Sequence, residues 1–254
     1  MSNCPMPLTD RFAQLIAPVV LGVLLLPMVA TAAGERLLIY GGSGRLGGPI
    51  VEEALLRGYE VTGVSRDPAR LAAFEGRIEI VSGDILDRSS LGKLASEHDA
   101  VIVSVGGRPS DPDPAQYIAA LAADSLVEAL SSLGPAGPRL IFVGNLFTLK
   151  FEDDKTLLEL GRVAEDHRNH AMFHGHQLAL DRFRESRGVT WTVASPPNGL
   201  RLKGRTGEVR WGGDILLRDA DGTPSGISRE DFAFAVLEEL ERERYLNARF
   251  NVAR

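Results

Sequence analysis

The sequence contains a single cysteine, Cys4, in 254 residues. That excludes an intrachain disulfide, a CxxC redox pair and a cysteine-ligated zinc site, so any redox chemistry needs a cofactor. Positive charge is in deficit: 28 lysines and arginines against 34 acidic residues leave a formal net charge of -6. This argues against nucleic acid as a partner, because binding the phosphate backbone takes a basic patch that displaces counterions. Internal repeats and low-complexity tracts are absent. With 44% hydrophobic residues the chain can bury one substantial core, and its length predicts one folded domain.

What is present divides at about residue 33. Residues 1–33 hold Arg11, an apolar stretch from Leu15 to Ala33 interrupted by Pro18 and Pro27, and the small residues Ala30-Thr31-Ala32. This pattern reads as a secretory signal peptide, or as a membrane anchor that gives the protein its one contact with a bilayer. Either places the remainder in the periplasm, outside the cell or on a membrane surface. With no twin-arginine pair, the export signal is Sec-like. A third reading takes Met28 as the true start of a cytoplasmic protein.

The folded region opens on the apolar run Leu37 to Tyr40, followed by Gly41-Gly42-Ser43-Gly44-Arg45-Leu46-Gly47 and a helical stretch from Gly47 to Arg57. A glycine-rich turn between a buried strand and a helix brings backbone N–H groups close to a pyrophosphate, and the helix N-terminus adds partial positive charge. The spacing fits both GxGxxG and GxxGxxG, and both imply a dinucleotide. Candidate contacts are Gly41, Ser43, Gly44, Arg45, Leu46 and Gly47.

Beyond this loop, strand-length apolar runs alternate with helical patterns, the signature of βαβ units. Expected strands are Arg36 to Tyr40, Glu60 to Val64, Arg77 to Val81, Ala100 to Val105, Arg139 to Val143 and Val189 to Ala194. Expected helices lie near Gly47 to Arg57, Pro68 to Phe74, Ser89 to Ser96, Pro114 to Leu133 and Leu157 to Arg187. Short apolar pieces at Glu208 to Trp211 and Ile215 to Arg218 precede a helix from Ser228 to about Arg244 and a last strand, Arg249 to Val252. The six strands predict an α/β fold: a single Rossmann-type domain over 34–254, with a doubly wound parallel sheet flanked by helices and substrate-side segments in about 195–254.

The second strand ends Val64-Ser65-Arg66, where an NAD-binding unit places an acid on the ribose 2′-hydroxyl. A basic residue there pairs with a 2′-phosphate, so Ser65 and Arg66 favour NADP(H), with NAD(H) still possible because Asp67 is adjacent. Asp84 and Ile85 after the third strand are placed beside the adenine. Val105, Gly106 and Gly107 after the fourth let backbone approach the cofactor closely.

These residues resemble a family. The glycine loop, Ser65-Arg66-Asp67-Pro68, Gly83-Asp84-Ile85 and Val189 to Val193 with Pro196 are similar to atypical short-chain dehydrogenase/reductases of the NmrA-like type. Gly204-Arg205-Thr206-Gly207, Trp211-Gly212-Gly213-Asp214 and Ile227 to Phe232 resemble the NADH-flavin reductase-like proteins, relatives of biliverdin reductase B. The resemblance covers about Glu35 to Arg254. It implies an NAD(P)H-binding oxidoreductase whose partner is a small-molecule acceptor, a flavin or similar conjugated ring; the alternative it implies is a catalytically silent NADP-binding regulatory sensor. Typical short-chain dehydrogenases use a tyrosine four residues before a lysine, and neither residue type occurs between Leu157 and Arg187.

His167, His170, His174 and His176 fall within ten residues. On one helix the first three share a face, yet without a third ligand of fixed geometry the pattern favours a solvated or cofactor-edge face, and no metal site is assigned. His174 and His176, taking the place of the missing lysine, and Asn145 after the fifth strand are the catalytic candidates. Because ligands of doubly wound sheets bind beyond the carboxyl ends of the strands, Phe147, Pro197, Asn198, Arg205 and Trp211 are the substrate candidates. For Phe147 and Trp211, core packing is an equal alternative to stacking on a flat ring.

Overall fold

A computed structural model describes Met1 and residues 34–254 except 198 and 201. The leader in 1–33, with the signal, anchor and Met28 readings, and the candidate Asn198 therefore lie outside the described residues. The described residues from 34 onward form one compact unit. No helix of the described residues is long and apolar enough to cross a membrane.

The strands follow the apolar runs. β1 (Arg36–Tyr40), β2 (Glu60–Ser65), β3 (Glu79–Ser82), β4 (Ala100–Val103) and β5 (Arg139–Val143) come first. Then come the small hairpin β6 (Lys150–Glu152) and β7 (Lys155–Thr156), and β8 (Trp191–Ser195), β9 (Arg210–Gly212) and β10 (Ala248–Ala253). The main sheet has eight strands in the order β3-β2-β1-β4-β5-β8-β10-β9. All its pairs are parallel except β10 with β9. β10 is the expected last strand, and β9 falls on the apolar piece Glu208 to Trp211. Ile215 to Arg218 contributes only isolated bridges, from Ile215 to Lys150 and from Arg218 to Pro224.

Strand order reverses at β1, which has β2 on one side and β4 on the other. Connections leave the carboxyl ends of β1 and β4 in opposite directions, and the gap between them is where a doubly wound sheet binds ligands. Side chains alternate across the sheet. Leu37 and Ile39 pack with Ile50 and Val51 of α1 (Gly47–Leu56) and with Phe232 and Val236 of a C-terminal helix. Leu38 and Tyr40 face α2 (Arg88–Ser96), α3 (Ile118–Ser131) and α4 (His170–Glu185) through Leu91, Leu126 and Phe183. The C-terminal helix is α5 (Arg229–Arg242).

Three helical expectations change. Pro68–Phe74 is a 3-10 helix capped by Asp67, and Pro114–Gln116 is a separate 3-10 turn before α3. The helix expected from Leu157 begins only at His170. Thr156 and Glu159 do form a reciprocal cap, with Thr156 N–H donating to the Glu159 carboxylate and Glu159 N–H to the Thr156 hydroxyl. The turn stops at Gly161, whose φ of +64° leaves the right-handed helical region.

Candidate functional site

The loop after β1 owes its shape to two glycines. Gly41 has φ +80°, and a Cβ there would collide with the Ser104 carbonyl beyond β4. A Cβ on Gly47 would collide with the Gly41 carbonyl, so α1 can seat against the loop only without a side chain at its first residue. Gly44 N–H donates to the Gly41 carbonyl at 2.9 Å and leaves its own Cα exposed on the cleft side. No side chain caps α1 and no acid stands in its first turn, which is equally true of α3 and α4. What sets α1 apart is that it begins at the glycine loop lining the cleft, where its N-terminal partial charge faces an anion.

Gly41, Ser43, Gly44, Ser65, Arg66, Asp84, Ile85, Val105 and Gly106 line one cleft at the carboxyl end of the sheet. Gly107 lines an adjoining hollow that shares Arg66 and Gly106. Arg45, Leu46 and Gly47 do not line the cleft: Arg45 is exposed, Leu46 packs on the α1 side of the core, and Gly47 is buried where the helix begins. Sequence reasoning missed Tyr40, Ile118 and Arg70, which also line it, as does Ser104. Arg70 had a readable signal, since Asp67-Pro68 starts a turn that carries residue 70 back over the end of β2. Tyr40 had one as well, a polar-tipped ring ending an otherwise aliphatic strand.

The acid next to Arg66 is occupied. Asp67 accepts from Ala69 N–H at 3.2 Å, while the Ser65 hydroxyl donates to the Asp67 carbonyl at 2.8 Å and closes the turn. Asp84 accepts from Leu86 N–H at 3.0 Å. Tyr40 is buried, and burial, followed by the charges of Asp87 and Asp84, pushes its phenol above the ordinary range, so it stays neutral.

At the far end, Asn145 accepts from Phe147 N–H at 2.8 Å, fixing the chain as it leaves β5. Phe147 stacks on Phe173 of α4 with ring centroids 3.9 Å apart, and His167 lies against the same Phe173 ring at 5.7 Å. His167 precedes α4, so it does not share a helix face with His170 and His174, whose rings pair at 4.2 Å. Burial, then the neighbouring His170, lowers the His174 pKa. Among the described residues no group of three or more His, Cys, Asp or Glu is placed to hold a metal ion. His176 is buried between Tyr117 and Phe142 with its Nδ1 unpartnered, and desolvation pushes its pKa down to about 4. It is a neutral core imidazole rather than a group titrating near neutrality. Pro197 is buried after β8.

Two substrate candidates are engaged elsewhere. Arg205 binds the buried Glu53 carboxylate of α1 through Nε at 2.6 Å and Nη2 at 3.0 Å. Trp211, on the edge strand β9, packs on Tyr245 and Phe250 under the Arg244 guanidinium, which lies 3.8 Å from the indole centroid. Neither lines the nucleotide cleft. Their partners are distant in sequence or belong to the sheet edge, so local spacing carried no sign of them.

A family model described as NAD(P)H-binding matches residues 41–243. The uncharacterized protein YwnB of Bacillus subtilis is 29% identical over 217 residues, covering 84% of this chain and 96% of that protein. A solved structure of a candidate exported protein from Burkholderia pseudomallei superposes with a TM-score of 0.73 at 25% identity, covering 87% of this chain and 100% of the other. A candidate NADH-flavin reductase from Streptococcus pneumoniae gives a TM-score of 0.68 at 26% identity, covering 87% and 99%. The resemblance read from the motifs therefore holds for fold and for the class of cofactor. The glycines a side chain would jam and the uncapped α1 fit that cofactor's pyrophosphate.

Proposed function

The chain belongs to the NAD(P)H-binding family, and on that premise we propose that it is an NADPH-dependent reductase passing hydride to a flavin or similar conjugated acceptor. The observation that carries the cofactor preference is the pair Arg66 and Arg70 lining the cleft beyond β2, with Asp67 turned into its own turn. A 2′-phosphate there meets two guanidiniums, with one oxygen of the Asp67 carboxylate bonded to Ala69 N–H. The acceptor class follows from the name of the Streptococcus pneumoniae neighbour and from the side chains at the far end. Phe147 offers an aromatic surface, and the missing tyrosine and lysine leave no dedicated acid.

When bound, the nicotinamide supplies the hydride, and transfer requires it face to face with an electron-poor ring. The protein's share is positioning. The glycine loop and α1 hold the pyrophosphate, Arg66 and Arg70 the adenosine phosphate, and Asn145 fixes the chain that carries Phe147. With His176 neutral, the proton comes from solvent or from His174 at the helix start.

A second reading, a catalytically silent NADP-binding sensor, draws on the same far end, where Asn145 is committed to Phe147 N–H and His176 is held uncharged. Assaying the purified protein for NADPH oxidation with FMN, riboflavin and a quinone separates the two. Turnover with any of them supports the reductase; tight NADPH binding with no turnover across the panel supports the sensor. Export or anchoring through residues 1–33 belongs to the proposal, supported by the name of the exported Burkholderia relative. Sequencing the N-terminus of the mature protein tests it.

A further inference from the structure

Residues 104–107, which cross the mouth of the cleft after β4, have no regular secondary structure and end in two glycines. Gly106 lines the cleft, and Gly107 has φ +148°. A glycine pair has the widest conformational freedom of any dipeptide, so a cofactor that needs this turn in one shape must bear the cost of ordering it unless the protein does so first.

One side chain is placed to do that. The Tyr117 hydroxyl donates to the Gly107 carbonyl and accepts from the Gly107 N–H, both at 3.2 Å. Both polar groups of one residue are thus tied to one phenol. The phenol in turn is held on a rigid base. Tyr117 joins the Pro114–Gln116 turn, capped by Asp113, to α3, and the next residue, Ile118, also lines the cleft. Its ring is 4% exposed and tilts against His176 at 5.6 Å. Helix α4 presses on it at Gly175, where a Cβ would lie 2.7 Å from the Tyr117 Cβ and 2.9 Å from the Pro114 carbonyl.

We propose that Tyr117 is a positioning residue for the cofactor, its hydroxyl locking the Gly106-Gly107 turn in the shape the dinucleotide requires and Gly175 giving it the room to stand there. This rests on the NAD(P)H-binding reading. The phenol is a poor candidate for chemistry itself: burial raises its pKa, and its hydroxyl is spent on Gly107.

The test is a fluorescence titration of the full-length protein with NADPH, for wild type, Tyr117→Phe and Gly175→Ala, with the ligand-free thermal midpoint of each. Tyr117→Phe keeps the buried ring and removes only the two bonds; Gly175→Ala keeps the hydroxyl and displaces it. Both are expected to raise Kd, Tyr117→Phe by roughly five- to tenfold, as for the loss of about one net hydrogen-bond contribution. In turnover, Tyr117→Phe raises KM for NADPH and leaves kcat near wild type. A wild type that fails to bind NADPH sinks the cofactor reading itself. A wild type that binds, beside a folded Tyr117→Phe protein of equal affinity, overturns the positioning role, whatever its midpoint does. Should Gly175→Ala not fold, Tyr117→Phe alone decides.

Discussion

The guanidinium of Arg205 and the carboxylate of Glu53 are joined by two bonds, of 2.6 and 3.0 Å, across 152 residues of sequence. Arg57 binds the same carboxylate at 2.8 Å, and both guanidiniums lie 5.0 Å from the Phe234 ring centroid. Burial alone would raise the Glu53 pKa; the bonds to Arg205 and Arg57 more than offset it, and the carboxylate stays ionised. This pair fastens the segment after β8 to α1 and α5. Arg205→Ala leaves Glu53 with Arg57, so the expected loss is about 1 kcal/mol, or roughly 2–4 °C in Tm for a domain of this size. Kd for NADPH and KM for the acceptor stay unchanged. An altered acceptor KM at constant Tm would instead return Arg205 to the substrate site.

The proposed preference for NADPH rests on Arg66. It is exposed at the cleft, and the acid beside it already caps Ala69. Arg66→Asp removes a charge-assisted contact and adds repulsion, and should weaken NADPH by about ten- to a hundredfold while NADH changes little. Parallel titrations with both cofactors measure this. Equal weakening of both would mean that Arg66 does not meet the 2′-phosphate, and Arg70→Asp becomes the next variant to titrate.

Two glycines of the same loop should fail differently. At Gly47 a Cβ collides with the backbone of Gly41, so Gly47→Ala must move α1 or the loop, costing about 1–3 kcal/mol in stability together with cofactor affinity. At Gly44 a Cβ would meet the Gly41 carbonyl oxygen at 3.1 Å and the Ser104 carbonyl oxygen at 3.9 Å, a tight contact rather than a collision, at a residue that lines the cleft. Gly44→Ala therefore keeps most of the stability and loses affinity. Chemical denaturation and NADPH titration of both variants separate holding the loop from approaching the ligand.

The contrast between these positions explains what the sequence made legible. Buried parallel strands read as unbroken apolar runs, so Leu37 to Tyr40 and Val101 to Val103 stand out without any partner in view. A glycine demanded by backbone collision leaves an equally plain mark. Residues whose role depends on a distant partner leave none: Arg205 waits on Glu53, and Trp211 on Tyr245 and Phe250. The helix expected from Leu157 failed for a local reason, since the Thr156 and Glu159 cap begins a turn that Gly161 ends. Arg70 is the third residue of the 3-10 turn that Asp67-Pro68 announces, a local signal that brings it to the cleft beside Arg66.

His176 makes stability depend on pH in a definite direction. Its ring is enclosed by Tyr117 and Phe142, its Nδ1 has no partner, and desolvation holds the folded-state pKa at about 4, below the 6.5 of an exposed histidine. Between those values the unfolded chain binds a proton that the folded protein refuses. The contribution is therefore intact above pH 6.5, shrinks as pH falls from 6.5 to about 4, and changes no further below that. Its full size is on the order of 3 kcal/mol. In His176→Phe, which keeps a ring against Phe142 and has nothing to titrate, that part of the slope disappears, so the two stability curves converge or cross as pH is lowered. Urea midpoints of both proteins at several pH values from 7 to 4 measure the difference and cancel the carboxylates they share. Parallel curves would mean that the imidazole has found a hydrogen-bond acceptor or a water in solution that stabilises its protonated form, and a histidine so placed would regain its claim on the reaction.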